Sequence, residues 1–204
     1  MTTILHINSS VRSTGSTSRQ LTAEFLSKWK TAQPDDVIVE RDLAADPVPH
    51  LTEQMMGAFF TPAEQRSPEQ VQTVQLPDAL VAELFGADII VLGAPMYNFS
   101  ISSALKAWID HVTRVGVTFN YTDTGPVGMV KGKKVYLFTA RGGVYSEGPA
   151  QSMDFQETYL RTALGFIGLT DITFIRAEGL AMGDSAVDAA LSHSRQLMGE
   201  LVPA

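Results

Sequence analysis

The run Ile89-Ile90-Val91-Leu92 passes without a break into Gly93-Ala94-Pro95-Met96-Tyr97-Asn98-Phe99-Ser100. Consecutive apolar residues with no polar alternation describe a strand buried on both faces, as in the middle of a parallel sheet. Pro95 has no N–H for the ladder and ends the strand. From Ser102 to Arg114 the rhythm is helical, with Ile101, Leu105, Trp108, Ile109 and Val112 on one face. Met96 to Ser100 therefore form a loop at the carboxyl end of a central strand, where open α/β sheets bind ligands. Met96, Tyr97 and Phe99 offer flat or polarizable apolar surface, while Asn98 and the loop amides offer hydrogen bonds. That combination suits a flat heteroaromatic ring with polar edges. The alternative is a hydrophobic strand-to-helix turn with no ligand.

Around this stretch the chain alternates. A first strand over Ile4–Asn8 leads into the polar loop Ser9–Ser18, and a helix follows with Leu21, Phe25, Leu26 and Trp29 on one face. A second strand, Val37–Val39, opens an irregular excursion from Asp42 to Gln75, punctuated by Pro47, Pro49, Pro62 and Pro68. A connection that long reads as a lid, a binding element or an interface element. A helix over Pro77–Gly86 returns to the central strand. After the Ser102–Arg114 helix, a second excursion from Val117 to Lys131 carries Phe119 and Tyr121 on one side and turn residues from Asp123 to Gly128, which predicts a hairpin. The strand Val135–Thr139, the loop Ala140–Tyr145, a helix over Phe155–Phe166, the strand Ile172–Ile175 and a helix over Asp184–Leu201 complete it. Five strands alternating with five helices predict a doubly wound α/β fold, a five-stranded parallel sheet with helices on both faces, in one domain over residues 1–204.

Composition narrows the function. The 204 residues contain no cysteine, which excludes disulfides, thiolate metal sites and a cysteine nucleophile. A net charge of −7 disfavours nucleic acid and anionic membrane as partners. The four histidines are scattered without ligand-like spacing, so no metal site is expected. No apolar run approaches the roughly 20 residues that span a bilayer. The first strand begins at once, without a basic leader or cleavage site, which predicts a cytoplasmic protein.

Three loops at the carboxyl ends of strands one, three and four would share one crevice. In the first, Ser9, Ser10, Ser16, Thr17 and Ser18 gather hydroxyls ahead of a helix whose free amides and dipole attract an anion, with a phosphate monoester the natural guest. It is neither a Walker A loop nor a Gly-x-Gly-x-x-Gly loop. A single N-cap hydroxyl is the simpler alternative. In the third, Gly142 and Gly143 let the backbone approach a ligand and direct amides at it. Phosphate, ring and backbone donors together describe a riboflavin phosphate.

Several pieces then become specific in combination: Arg41-Asp42-Leu43-Ala44 with Pro47-x-Pro49, Ala94-Pro95-Met96-Tyr97-Asn98-Phe99, Gly116-Val117-Thr118-Phe119, Tyr121-Thr122, Gly132-Lys133-Lys134, Arg141-Gly142-Gly143 and Leu164-Gly165-Phe166-Ile167-Gly168. From end to end the chain resembles the bacterial FMN-dependent NAD(P)H:quinone oxidoreductases, or azoreductases, which have a flavodoxin-like fold. The resemblance implies that Ser10, Ser16, Thr17 and Ser18 hold the FMN phosphate. It implies that Pro95, Met96, Tyr97, Asn98 and Phe99, with Ala140, Arg141, Gly142 and Gly143, embrace the isoalloxazine. NADH or NADPH would be the donor, a quinone or azo compound the acceptor, and the active form a homodimer whose sites draw on both chains. Phe59, Phe60, Phe119, Tyr121 and Ala163 would wall the substrate pocket; the alternative for Phe59 and Phe60 is to anchor their loop, and for Phe119 and Tyr121 to pack the hairpin at the dimer interface. The amides of Gly142 and Gly143 would stabilise the reduced ring, and Tyr145 or water would supply the last proton. Ala140 stands where relatives commonly carry serine, Tyr145 where some carry histidine, and Ala163 where some carry a larger aromatic. The rival readings are an electron-carrying flavodoxin and a serine hydrolase with Ser10 as nucleophile, which lacks a Gly-x-Ser-x-Gly elbow.

Overall fold

The computed structural model describes residues 1–203. In chain order the elements are β1 (Thr3–Asn8), α1 (Thr17–Ala32), β2 (Val37–Asp42), α2 (Glu53–Phe60), α3 (Pro68–Gly86), β3 (Ile89–Pro95), α4 (Ser103–Val112), β4 (Phe119–Thr122), β5 (Gly125–Gly128), β6 (Lys134–Ala140), α5 (Glu157–Phe166), β7 (Asp171–Ala177) and α6 (Asp184–Leu201), with short 3₁₀ turns at Ala63–Gln65 and Gln151–Met153. Five strands form one parallel sheet in the order β2-β1-β3-β6-β7. Renumbered within the sheet this is 2-1-3-4-5, the flavodoxin-like winding, whose direction reverses between β1 and β3. The crevice at the carboxyl ends of those two strands is thereby marked as the place for a ligand.

Both faces of the sheet are covered, which is why its strands read as continuous apolar runs. Leu5, Ile7, Ile90, Leu92, Ala94, Val135 and Leu137 pack against α3, α4 and α5. Ile4, Val91, Tyr136, Phe138 and Ile175 pack against α1 and α6. On the second face Phe25 is the hub, its ring 5.0 Å from Tyr136, 5.4 Å from Phe138 and 5.7 Å from Trp29. No helix among the described residues is long and apolar enough to cross a membrane.

The excursion after β2 differs from its expected irregularity. It contains α2, a 3₁₀ turn and the first half of α3, so six α-helices flank the sheet instead of five. Thr52 caps α2 by accepting from the Met55 amide at 3.2 Å. Ser67 and Gln70 form a reciprocal capping box, and Pro68 occupies the first helical turn, where its missing N–H costs nothing. Pro77, expected to start the helix, sits inside it. An internal proline costs about 3 kcal/mol. Here burial of Val74, Leu80, Val81 and Leu84 on one side of α3 offsets it.

The β4–β5 hairpin forms as expected, antiparallel, with Phe119 opposite Gly128 and Thr122 opposite Gly125. It is seated on the turn after α5: the Val130 amide donates to the Ile167 carbonyl at 2.9 Å. At this seat two glycine backbones meet. A Cβ on Gly128 would collide with the backbone of Ile167 and Gly168, and one on Gly168, at φ 110°, would lie 2.8 Å from the Val130 carbonyl oxygen. Gly128→Ala should therefore cost about 1–3 kcal/mol through overpacking. Urea unfolding at equilibrium measures it, and an unchanged midpoint would mean that the hairpin is not held against α5.

Candidate functional site

The first loop is stapled to the sheet where it leaves β1. The Ser9 amide and hydroxyl both donate to the Gly93 carbonyl, at 3.1 and 2.7 Å. The Ser102 hydroxyl donates to the Ser9 carbonyl at 2.9 Å while capping α4 through the Leu105 amide. Ser10 Oγ lies 3.3 Å from Tyr97 Oη. From α1, Arg19 donates to the Ser10 carbonyl at 2.9 Å and grips both oxygens of Asp42 at 2.6 and 2.7 Å. The hydrogen bonds from Arg19 hold the Asp42 carboxyl down at about 2 against the pull of burial. Ser16 is the N-cap of α1, yet its hydroxyl accepts no backbone amide and instead lies 3.2 Å from Ser18 Oγ. The first turn of α1 carries no acidic residue. The simple capping alternative is therefore not what the serines do. They gather at a helix end whose first amides take no side-chain cap, a geometry that favours negative charge.

The second loop is a tight two-residue turn. Tyr97 and Ser100 exchange main-chain hydrogen bonds at 2.9 and 3.0 Å, and the two residues between them, Asn98 and Phe99, have φ of 47° and 70°. Positive φ at both central positions is what such hairpin turns require. Asparagine tolerates it, but a bulky aromatic rarely adopts it, at a cost of about 1–3 kcal/mol. The Phe99 carbonyl is held by the Phe155 amide at 3.2 Å, and the half-exposed Phe99 ring lies edge-on to Tyr145 at 6.4 Å between centroids. Such strain persists only where the surroundings over-determine it, and it clusters at working sites. Met96 is tied across to the third loop, its amide donating to the Ala140 carbonyl at 2.9 Å.

The third loop turns its carbonyls one way. Those of Arg141, Gly142 and Gly143 accept from the amides of Leu180, Ala181 and Gly179 at 3.1, 2.9 and 3.0 Å. The peptides are trans, so the amides of Gly142, Gly143 and Val144 are directed oppositely. Among the described residues none of the three has an acceptor. Successive free amides on one side of a loop make a second concavity suited to negative charge. Arg141 contributes only backbone to this loop. Its side chain is fully buried and paired with Asp154 at 2.9 Å, Glu178 at 3.1 Å and, at 3.5 Å, Glu157, with Gln156 accepting from Nε at 3.0 Å. Glu157 in turn pairs with Arg161 and Arg176. Burial pushes the Glu157 carboxyl up, but the arginines outweigh it and the net shift is downward.

A cleft of about 250 Å³ runs between the three loops, lined by Ser10, Ser16, Thr17, Pro95, Tyr97, Ala140 and Gly142 among others. A wider hollow of about 730 Å³ begins on the other side of Tyr97 and Asn98 and reaches Lys106 and Tyr159. Phe59, Phe60, Phe119 and Tyr121 also meet, but in a separate apolar groove of about 530 Å³ that shares no lining residue with the cleft. Phe119 is buried and Tyr121 exposed, their rings 5.5 Å apart. Ala163 lines neither; it is half-buried on α5, packed against the larger core cluster. Tyr145 is close to the third loop, its ring over Gly143. Sequence reasoning missed Arg12, Gly15 and Leu180 in the cleft lining, and Arg19 and Glu178 behind it. Arg12 and Gly15 lie within the serine loop and could have been drawn in by position. Leu180, Arg19 and Glu178 carry no local signal.

A family profile described as a flavodoxin-like fold matches residues 2–202. The chain is 65% identical over 204 residues to an FMN-dependent NADH:quinone oxidoreductase of Herminiimonas arsenicoxydans, with 100% of both chains covered. It is 51% identical over 201 residues to one of Azotobacter vinelandii, covering 98% of this chain and 100% of the relative. Among solved structures, an azoreductase from Bacillus anthracis superposes with a TM-score of 0.91 at 31% identity over 99% of each chain. An FMN-dependent NADH-azoreductase of the same species, solved in complex with FMN, superposes with a TM-score of 0.87 at 26% identity, covering 98% of this chain and 100% of that one.

The Arg19–Asp42 pair, which carries the Ser10 carbonyl, should be visible in acid. A carboxyl depressed from 3.8 to about 2 stabilises the fold above its unfolded value and loses that contribution as pH falls through about 2. With its side chain 35% exposed, screening reduces this to about 1–2 kcal/mol. Asp42→Asn should lower stability by that amount at neutral pH and flatten the acid limb of a stability–pH curve. Parallel curves for the two proteins would contradict it.

Proposed function

From the fact that this chain belongs to the flavodoxin-like-fold family of FMN-dependent NADH:quinone oxidoreductases, we propose that residues 1–204, as a single domain, form the FMN site in the three-loop cleft and alternate donor and acceptor over it. The enzyme uses FMN as cofactor and NADH as electron donor, as its relatives' names state. The observation that carries the site assignment is the α1 N-terminus, surrounded by Ser10, Ser16 and Ser18 with no capping side chain, facing the same cleft as Tyr97 and Gly142.

The residues fit that cofactor. Ser10, Ser16, Thr17 and Ser18, with the free amides of α1, would hold the phosphate. Pro95 to Phe99 and Ala140 to Gly143 would hold the ring system between the strained turn and the third loop. When bound, FMN would supply two-electron chemistry between a nicotinamide donor and a quinone or azo acceptor. The protein's share is position and electrostatics. The Gly142 and Gly143 amides would offer fixed donors to the negative charge of the reduced ring, at no reorganisation cost. The Tyr145 hydroxyl or water delivers the final proton to the acceptor.

The active form in this reading is a homodimer. The groove of Phe59, Phe60, Phe119 and Tyr121 is apolar and open within one chain, and it lies apart from the cleft. Across a two-fold interface it would wall the partner's site. Azo compounds are reduced in the same space as quinones, a reading supported by the azoreductase neighbours. NADPH serves as a second donor in this reading. The protein acts in the cytoplasm.

Two measurements test this reading. The double substitution Ser10→Ala with Ser18→Ala should weaken FMN binding by a few kcal/mol, at about 1–3 per lost charge-assisted bond, with the fold retained. Fluorescence titration of the apoprotein reads it, and an unchanged affinity sinks the phosphate assignment. Donor and acceptor cannot both stack within hydride distance, roughly 3–3.5 Å, of one ring face. Initial-rate plots against NADH at several quinone concentrations should therefore be parallel lines. Intersecting lines would rule out the shared space.

A further inference from the structure

Behind the third loop, Glu178 directly follows β7 and meets both ends of the loop at once. Its Oε1 accepts from Arg141 Nη1 at 3.1 Å, from the Tyr145 amide at 2.8 Å and from the Ser146 amide at 3.0 Å. Its Oε2 accepts from the Ser146 hydroxyl. The carboxylate is largely buried, and it touches nothing that lines the three-loop cleft except Arg141, whose backbone opens the loop. Between the two ends lie Gly142 and Gly143, the pair of residues with the most conformational freedom to lose. Their carbonyls, with that of Arg141, are bound by the three residues that follow Glu178 in sequence.

We propose that Glu178 is a positioning residue: it clasps Arg141 to Tyr145 and Ser146, and so keeps the amides of Gly142, Gly143 and Val144 turned together toward the charge that forms on the cofactor when it is reduced. This rests on the FMN reading above. The geometry alone makes the case. One oxygen joins residues 141, 145 and 146, so the three residues between Arg141 and Tyr145 are held at both ends while their carbonyl side is bound by residues 179 to 181. Burial pushes the Glu178 carboxyl up, but the hydrogen bonds from Ser146 and Tyr145 and the charge of Arg141 bring it below its ordinary value, so the clasp is ionised at neutral pH.

A positioning role and a charge role have opposite signs. Removing a negative charge near the site makes reduction easier, whereas releasing the three amides makes it harder. Comparisons at constant charge separate them. Glu178→Asp keeps the charge but is one methylene too short to reach both ends. Glu178→Gln and Glu178→Ala are both neutral, and only glutamine keeps an acceptor at Oε1. The experiment measures, on each FMN-loaded protein, the two-electron midpoint potential against a reference dye and the affinity for oxidised FMN. The aspartate variant should fall below the wild type, and the alanine variant below the glutamine variant. Each drop should be roughly tenfold in the preference for reduced over oxidised FMN, which for two electrons is about 30 mV. Loss of melting temperature alone, with potentials equal within each pair, would overturn the proposal and leave Glu178 a structural residue. If the alanine variant does not fold, the aspartate comparison decides. A wild-type apoprotein that takes up no FMN would overturn the underlying reading as well, which distinguishes the two failures.

Discussion

The main-chain ladder of the parallel sheet does not stop where the strands stop, and the site depends on that overrun. Past the end of β1 the Ser9 amide reaches the Gly93 carbonyl; past β3 the Met96 amide reaches Ala140; past β6 the Arg141 amide reaches Ala177. Each of these bonds carries sheet geometry one residue into a loop. The three loops therefore leave the sheet side by side and in fixed orientation. A parallel ladder brings all carboxyl ends to one edge, and the reversal of winding between β1 and β3 leaves the gap there that the loops line.

What the ladder begins, buried charge completes. Arg141, Arg161 and Arg176 balance Asp154, Glu157 and Glu178 in one cluster at the base of the third loop. Isolated, a fully buried guanidinium would be costly; ringed by carboxylates and Gln156 it fixes the direction of the chain. Arg19 and Asp42 do the same for the first loop through the Ser10 carbonyl. The second loop has no such pair, and its strained Asn98–Phe99 turn is kept by main-chain bonds to its own ends and to Phe155. Rigid supports behind each loop let small, exposed groups at the front meet a ligand without first being ordered.

The elements outside the doubly wound core have a different logic. The β4–β5 hairpin is anchored by glycine-to-glycine contact on the turn after α5, and α2 is anchored through Arg114, whose guanidinium lies 4.6 Å over the Phe59 ring and pairs with Asp78 at 2.6 Å. Both attachments leave aromatic side chains on an open groove. Tyr121 and Phe60 stand 71% and 66% exposed along it.

Much of this was legible in the residues themselves. Buried parallel strands are continuous apolar runs, so β1, β3, β6 and β7 stand out, and their alternation with helical rhythms names the fold class. The serine loop, the Tyr97–Ser100 turn and the Gly142–Gly143 pair are each local in sequence, so their chemistry could be read before their meeting was known. The second excursion was legible as a hairpin, but the first was not legible as α2 and α3. Its prolines signal breaks, and only capping by Thr52 and Ser67, with α3 buried on the core and α2 packed on α3, makes helices of it. Tertiary structure alone decided three things: that the aromatic groove stands apart from the cleft, that Ala163 faces the core, and that Arg141 meets Glu178. That last pairing follows from register. Ala140 lies beside Ala177 in the ladder, so the next residue of each strand falls next to the other across 37 positions of sequence. Periodicity reports which face of its own element a residue occupies; which residue stands opposite is set by the hydrogen bonds between elements.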